Sequence, residues 1–142
     1  MTANPPVVPD VTDPVTAPFW AGTRQGELLA QRCASCAHRR WPPGPVCPSC
    51  LSLDAEWVPL DPTGTLISYC VYRRSFDKAF ADSIPYAVGY IQLADGPRMY
   101  GQLTGPLDEL AVDAPVHAVF EAATDEVTLI QWTTARTEGD PA

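Results

Sequence analysis

CASCAHRRWPPGPVCPSC, residues 33–50, decides how this chain folds. Two CxxC pairs, Cys33/Cys36 and Cys47/Cys50, stand ten residues apart. A CxxC turn aims two thiolates at one point, and two such turns facing each other supply the closed tetrahedral set of a structural Zn²⁺. Thiolates are soft ligands that suit zinc, with rubredoxin-type iron the second choice. Pro42, Pro43, Gly44, Pro45 and Pro48 resist helix and central strand alike, so the intervening segment reads as a loop crossing between two knuckles. Arg39 and Arg40 are placed to offset part of the thiolate charge.

Disulfides compete for the same cysteines but need an oxidising compartment. The N-terminus, MTANPPVVPDVTDPVT, has no Lys or Arg and no apolar run, so it does not read as a targeting peptide. A thioredoxin-like redox pair needs one CxxC beside a βαβ pattern, whereas two stand here in tandem. The expectation is therefore a cytoplasmic protein with structural zinc. A closed four-cysteine site leaves no open coordination position, so the ion folds the chain and performs no chemistry.

Outward from the cysteines, residues 28–32 read as a strand entering the first knuckle, with Trp41 and Glu56-Trp57-Val58 supplying the other ribbon strands. Such a ribbon is too small to hold a core without its ion. His38 has no ligand position left to fill and is expected at the surface. Residues 17–25 read as a short helix, with Thr16 as cap, Pro18 in the first turn and Gly26 as the stop. Phe19 and Trp20 are large for an exposed helix. With Trp41, they are expected either to pack within the chain or to form a partner interface. Residues 1–15 carry four prolines and no periodicity and read as a flexible tail.

From residue 59 the pattern changes to short strands. Residues 65–72, 86–93, 98–103, 115–121 and 126–133 are rich in β-branched and aromatic types and are separated by turn residues. Gly89 and Gly101 suggest the bends that close a small barrel. The fold class is mainly β: an N-terminal helix and zinc ribbon over 16–58, then a five-stranded OB-type barrel over 59–135, with 136–142 a second tail. Cys70, isolated within a strand, is expected as a small buried apolar residue.

The chain has 142 residues, 46% apolar, and a net charge of −8. That acidity argues against a general nucleic-acid binder, and no apolar run approaches membrane-spanning length. Six of the nine cationic residues fall between positions 32 and 78, a pattern that suits one small anionic ligand. The segment 73–85 is longer than a hairpin needs and mixes Arg73, Arg74 and Lys78 with Phe76 and Phe80. Long loops in compact domains are usually functional or disordered.

The ordered set FWAGTRQGELLAQRCASC, VCPSC, Trp57, PTGTLISYCVY and IPYAVGYIQLADGPRMYGQL resembles the acyl-CoA-associated zinc-ribbon/OB-fold family, over residues 18–133. The resemblance implies a rubredoxin-like ribbon, an OB barrel and a non-catalytic accessory role. The implied partner is a thiolase-like enzyme, a thiolase or an aldolase. It would carry out carbon–carbon cleavage of an acyl-CoA, in some members from steroid breakdown. Dimeric thiolase-fold partners imply two copies of each chain.

No family motif fixes the CoA contacts. Chemistry alone points to Arg73, Arg74, Phe76, Lys78, Phe80 and Tyr86, since CoA is anionic at its phosphates and aromatic at its adenine. The competing reading is a single-stranded nucleic-acid module, because ribbons and OB barrels both serve that purpose. A stand-alone catalyst has only His38 and His117 as imidazoles and shows no nucleophile–base spacing.

Overall fold

A computed structural model describes residues 7–134; of the tails expected at 1–15 and 136–142, residues 1–6 and 136–142 lie outside them. Residues 11–16 run in turns, where the Asp10 carboxylate accepts from the Thr12 N–H and the Asp13 carboxylate from the Val15 N–H. Helix α1, Ala17–Arg24, starts without a side-chain cap from Thr16. Instead the Asp13 carbonyl accepts from the N–H groups of Thr16 and Ala17. Gly26 ends the helix at φ 75°, in the left-handed region that glycine tolerates.

Strands β1 (Leu29–Cys33), β2 (Arg39–Arg40) and β3 (Ala55–Pro59) form an antiparallel ribbon in the order β2-β1-β3. Trp41 falls just beyond β2 and is not a ribbon strand, correcting the expectation from sequence. Its ring turns toward the helix, 6.2 Å from Phe19. The Leu60 N–H donates to the Leu28 carbonyl and carries the chain from ribbon to barrel.

Strands β4 (Thr63–Tyr72), β5 (Tyr86–Leu93), β6 (Arg98–Thr104), β7 (Pro115–Ala122) and β8 (Thr128–Thr133) close into a barrel in the order β4-β5-β6-β8-β7. The β6–β8 pair is parallel and β4 returns to β7. This is the Greek-key closure of an OB barrel. Helix α1 packs against β1, β7 and β8, so ribbon, helix and barrel share one core running from Phe19 and Leu28 through Leu66 and Ile91 to Trp132.

Two backbone features set the barrel. The β4–β5 register shifts between Leu66 and Ser68. Leu66 points inward, yet beyond the bulge Tyr69 and Val71 pack on the core, while Ser68, Cys70 and Tyr72 are exposed. Cys70 is therefore exposed, not buried as its strand context suggests. One extra residue reverses which alternate positions face inward. At Gly101 the fully buried Trp132 crosses the strand: a Cβ there would lie 2.4 Å from Trp132 Cδ1. The glycine makes room for the ring.

Gly101→Ala is therefore expected to cost about 1–3 kcal/mol, the range for overpacking a filled core. Thermal denaturation of the zinc-loaded protein should show a lower Tm. An unchanged Tm would mean that the indole has room to shift.

Candidate metal centre and aromatic surfaces

The two knuckles are built alike. The Cys33 N–H donates to the His38 carbonyl and the Ala37 N–H returns to the Cys33 carbonyl; Cys47, Ser52 and Leu51 repeat the pattern. Ala37 and Leu51, each four residues past its first cysteine, both take φ 66°. These are left-handed positions that non-glycine residues adopt only where the surroundings impose them. Each loop thus turns back so that both of its sulfurs face the other knuckle.

The four sulfurs of Cys33, Cys36, Cys47 and Cys50 lie within 4.8 Å of one another. Across the knuckles Cys33 Sγ is 3.5 Å from Cys50 Sγ and Cys36 Sγ is 3.7 Å from Cys47 Sγ. Tetrahedral Zn–S bonds of ≈ 2.3 Å would separate sulfurs by about 3.8 Å. The donor set and its spacing fit zinc, and all four cysteines would hold it. The electrostatics point the same way. The Cys36 N–H, foremost, and the Ser35 N–H pull the Cys33 thiol down to about 6 against the effect of burial. The Ser52 N–H acts likewise on Cys50, but the neighbouring sulfurs of Cys33, Cys36 and Cys47, with burial, push that thiol up to about 12. Four thiolates so close need a cation to be ionised together.

Arg39 and Arg40 make their hydrogen bonds elsewhere. Arg40, buried, donates Nε–H to Gln31 Oε1 at 2.9 Å and Nη2–H to the Gly44 carbonyl at 3.0 Å. Gln31 Oε1 also accepts the Gly44 N–H, so Gln31 and Arg40 together hold the proline-rich crossing. Arg39 reaches the Asp95 carbonyl in the β5–β6 turn and ties ribbon to barrel. His38 is exposed, as expected.

The segment between β4 and β5 contains a 3₁₀ turn, Lys78–Phe80, whose first N–H groups are capped by Asp77 through Ala79 N–H. Arg73 and Arg74 are exposed. Arg74 sits 5.8 Å from the centre of the Phe76 ring, which is 86% exposed. Phe80 meets Tyr86 at 5.6 Å, and Tyr86 stacks on Tyr72 at 5.0 Å. The structure thus joins Phe80 to Tyr86 and Arg74 to Phe76 as two separate groups.

Of the aromatics expected at an interface, Phe19 is only 4% exposed and belongs to the core, edge-on to Trp20 at 4.9 Å. Both tryptophans pack on it, and the little that stays exposed lines the same cleft as they do. Trp20 and Trp41 line a cleft of about 240 Å³ together with Phe19, Phe80, Met99 and Leu129. Trp41 Nε1 is buried there without a hydrogen-bond partner. Sequence reasoning missed Tyr90, Arg98 and Tyr100 on the outer barrel face, where Tyr90 and Tyr100 stack at 4.7 Å. Their positions in YAVGYIQL and RMYGQL alternate with the buried residues, which was the available signal. Among the described residues, no helix is long and apolar enough to cross a membrane.

Residues 20–56 match the family model described as the ChsH2 rubredoxin-like zinc ribbon domain, and residues 57–121 that of the ChsH2 C-terminal OB-fold domain. The chain belongs to the ChsH2/DUF35 family. It is 37% identical over 113 residues to a probable enoyl-CoA hydratase alpha subunit of Thermomonospora curvata, covering 78% of this chain. It spans only 35% of that relative's length. It is 34% identical over 106 residues to the benzoylsuccinyl-CoA thiolase subunit BbsA of Thauera aromatica, covering 72% of this chain and 70% of BbsA. A chain in the solved Ltp2–ChsH2(DUF35) aldolase superposes with TM-score 0.78 at 32% identity, covering 88% of this chain and 98% of that one. A rubredoxin-like ribbon with four close cysteines fits structural zinc.

Chelation, or Cys47→Ser, is expected to unfold the ribbon, because structural zinc contributes about 10–16 kcal/mol in small zinc-finger domains. Zinc loss should grow as the pH falls, since protons displace the metal from its thiolates. Zinc per chain and amide exchange across β1–β3 would be measured together. A folded, fully protected Cys47→Ser chain would sink the structural role.

Proposed function

We propose that this chain is a non-catalytic accessory subunit of a thiolase-like enzyme acting on an acyl-CoA thioester. The observation that carries this reading is the near-complete match, 98% of its length, to a chain of a two-component aldolase. The similarity to BbsA, a thiolase subunit, supports the same class of partner. The partner would supply the reacting groups and cleave the carbon–carbon bond, by retro-aldol reaction or thiolysis. This chain would hold its fold and help to seat the CoA.

The hydratase alpha subunit is about three times as long as the stretch it shares with this chain, so its activity is not transferred here. We assign the two parts of the chain different tasks. The helix and ribbon, 16–58, present Trp20 and Trp41 beside a cleft and form the surface assigned to the partner. The barrel, 59–135, carries Arg73, Arg74, Phe76, Lys78, Phe80 and Tyr86 on or beside one loop and is assigned to CoA. The acyl group, whether steroid, aryl or short chain, would be enclosed mainly by the partner, in an assembly with two copies of each chain.

Co-purification of the tagged chain from its native cytoplasm is expected to bring down a thiolase-fold polypeptide in fixed ratio, identified by mass. The mixture, but neither component alone, should cleave an acyl-CoA. A chain recovered alone, or with nucleic acid, would overturn the reading. Replacing Arg73, Arg74 and Lys78 by Glu is expected to weaken acyl-CoA binding by the assembly roughly tenfold or more, each lost charge-assisted contact being worth about 1.5–3 kcal/mol. Zinc content should not change. Undiminished binding would move the CoA contacts off this loop.

A further inference from the structure

The two knuckles repeat one backbone, so they can be compared position by position. In both, the N–H of the first cysteine donates to a carbonyl further along, that of His38 or of Ser52. In both, the residue after the second cysteine, Ala37 or Leu51, takes φ 66°. The side chains carried on this shared frame differ. Before the first cysteine, after the second and two residues further on, one knuckle has Arg32, Ala37 and Arg39, the other Val46, Leu51 and Leu53. Arg32 pairs with Glu56 and Arg39 reaches the Asp95 carbonyl, so the first knuckle is engaged with its own chain. Leu51 and Leu53 are each 74% exposed and Val46 41%. The Cys47–Ser52 hydrogen bond sets Val46 opposite Leu53, and the three aliphatic side chains share one short loop.

Neither folding nor metal ligation accounts for them. The same frame holds with Arg, Ala and Arg, and ligation uses the cysteines alone. A left-handed φ is unfavourable for any residue with a Cβ and most of all for a bulky one, while glycine or asparagine takes it readily. Leu51 recovers little of that cost by burial, since most of its side chain is in solvent. Exposed aliphatic residues are ordinary when scattered. A cluster that includes a conformationally disfavoured one points to a contact made outside the chain.

The surroundings specify the partner. From Trp41 to Tyr72 the sequence has no Lys or Arg. Asp54, exposed, adjoins Leu53, and the ion pair found among the described residues, Arg32–Glu56, leaves it unpaired. Four thiolates around one divalent ion would keep two negative charges. An apolar patch in an anionic setting is complementary to an apolar pocket rimmed by Lys or Arg. A second copy of this chain, of net charge −8, would bring the same acids to the contact.

We propose that the second knuckle, through Val46, Leu51 and Leu53, anchors the thiolase-like subunit, seated in an apolar pocket with a cationic rim on that subunit. This rests on the accessory-subunit reading above and deepens it. It adds a contact outside the Trp20–Trp41 cleft, whose lining includes none of the three.

The test uses the zinc-loaded full chain and the polypeptide that co-purifies with it, with Kd measured by calorimetry and Tm by thermal denaturation. Leu51→Asn is expected to weaken binding about tenfold, the scale of one truncated interface anchor, while Tm stays level or rises. Binding lost without stability lost is not the signature of a merely structural residue. Leu53→Ser, outside the left-handed position, should weaken binding similarly with zinc content unchanged. Ala37→Asn makes the same backbone change on the first knuckle and should leave Kd unchanged. Binding should weaken as salt rises, and Asp54→Asn should reduce that dependence. An unaltered Kd in both Leu51→Asn and Leu53→Ser overturns the proposal. It leaves the subunit reading standing, because the wild-type chain still captures its partner. Capture of no thiolase-like polypeptide by the wild-type chain overturns that reading, and the anchor with it. An equal loss in Ala37→Asn overturns the proposal in favour of a general effect on the ribbon. A wild-type chain that dimerises alone, and loses the dimer on Leu51→Asn, overturns it in favour of a second copy.

Discussion

Four sulfurs converging within 4.8 Å are a cost to the chain until a cation joins them. Thiolate charges at such spacing repel by several kcal/mol even when screened to an effective dielectric near 20. The ribbon around them consists of strands of five, two and five residues, too little apolar surface to hold that cluster by packing alone. The ion therefore supplies what the ribbon lacks, and neighbouring features depend on the geometry it fixes. The left-handed turns at Ala37 and Leu51 are imposed by the knuckles. The crossing between them is pinned by Gln31 and Arg40.

From the metal centre the constraint passes into the barrel through few, specific contacts. Leu60 is hydrogen-bonded back to Leu28, and Arg39 holds the Asp95 turn. Phe19 sits beneath Trp20 and Trp41 in the core shared by helix and barrel. This arrangement aligns the metal knuckles, the Trp20–Trp41 cleft and the barrel loops on one scaffold. A subunit built this way acts by presenting fixed surfaces, which is the accessory role proposed here.

The barrel in turn divides its residues by parity. Inward positions carry Leu66, Ile91, Leu103 and Trp132, and outward ones carry tyrosines and cations. Tyrosine serves such a face well, since it offers a broad apolar ring with a polar tip and loses few rotamers on ordering. The exposed aromatics are concentrated on β4–β6 and on the loop after β4, the side of OB barrels used for ligands.

The spacing of four cysteines determined the metal site, because ligand chemistry is local: a CxxC turn needs only its own residues to aim two sulfurs. The five β-rich runs and their turn residues likewise determined a small barrel, since strand periodicity and turn chemistry are short-range properties. Tertiary structure alone decided which way the alternating positions faced. Cys70 looked like a core residue until the bulge after Leu66 reversed the parity of β4. Phe19 and Trp20 are adjacent and similar in character, yet Phe19 is buried in the core and Trp20 only half-buried, because Trp41 arrives from a loop further along the chain and packs on the Phe19 ring. The two tyrosine pairs were hidden for the same reason. They come from three strands, and only the register brings Tyr72 onto Tyr86 and Tyr90 onto Tyr100.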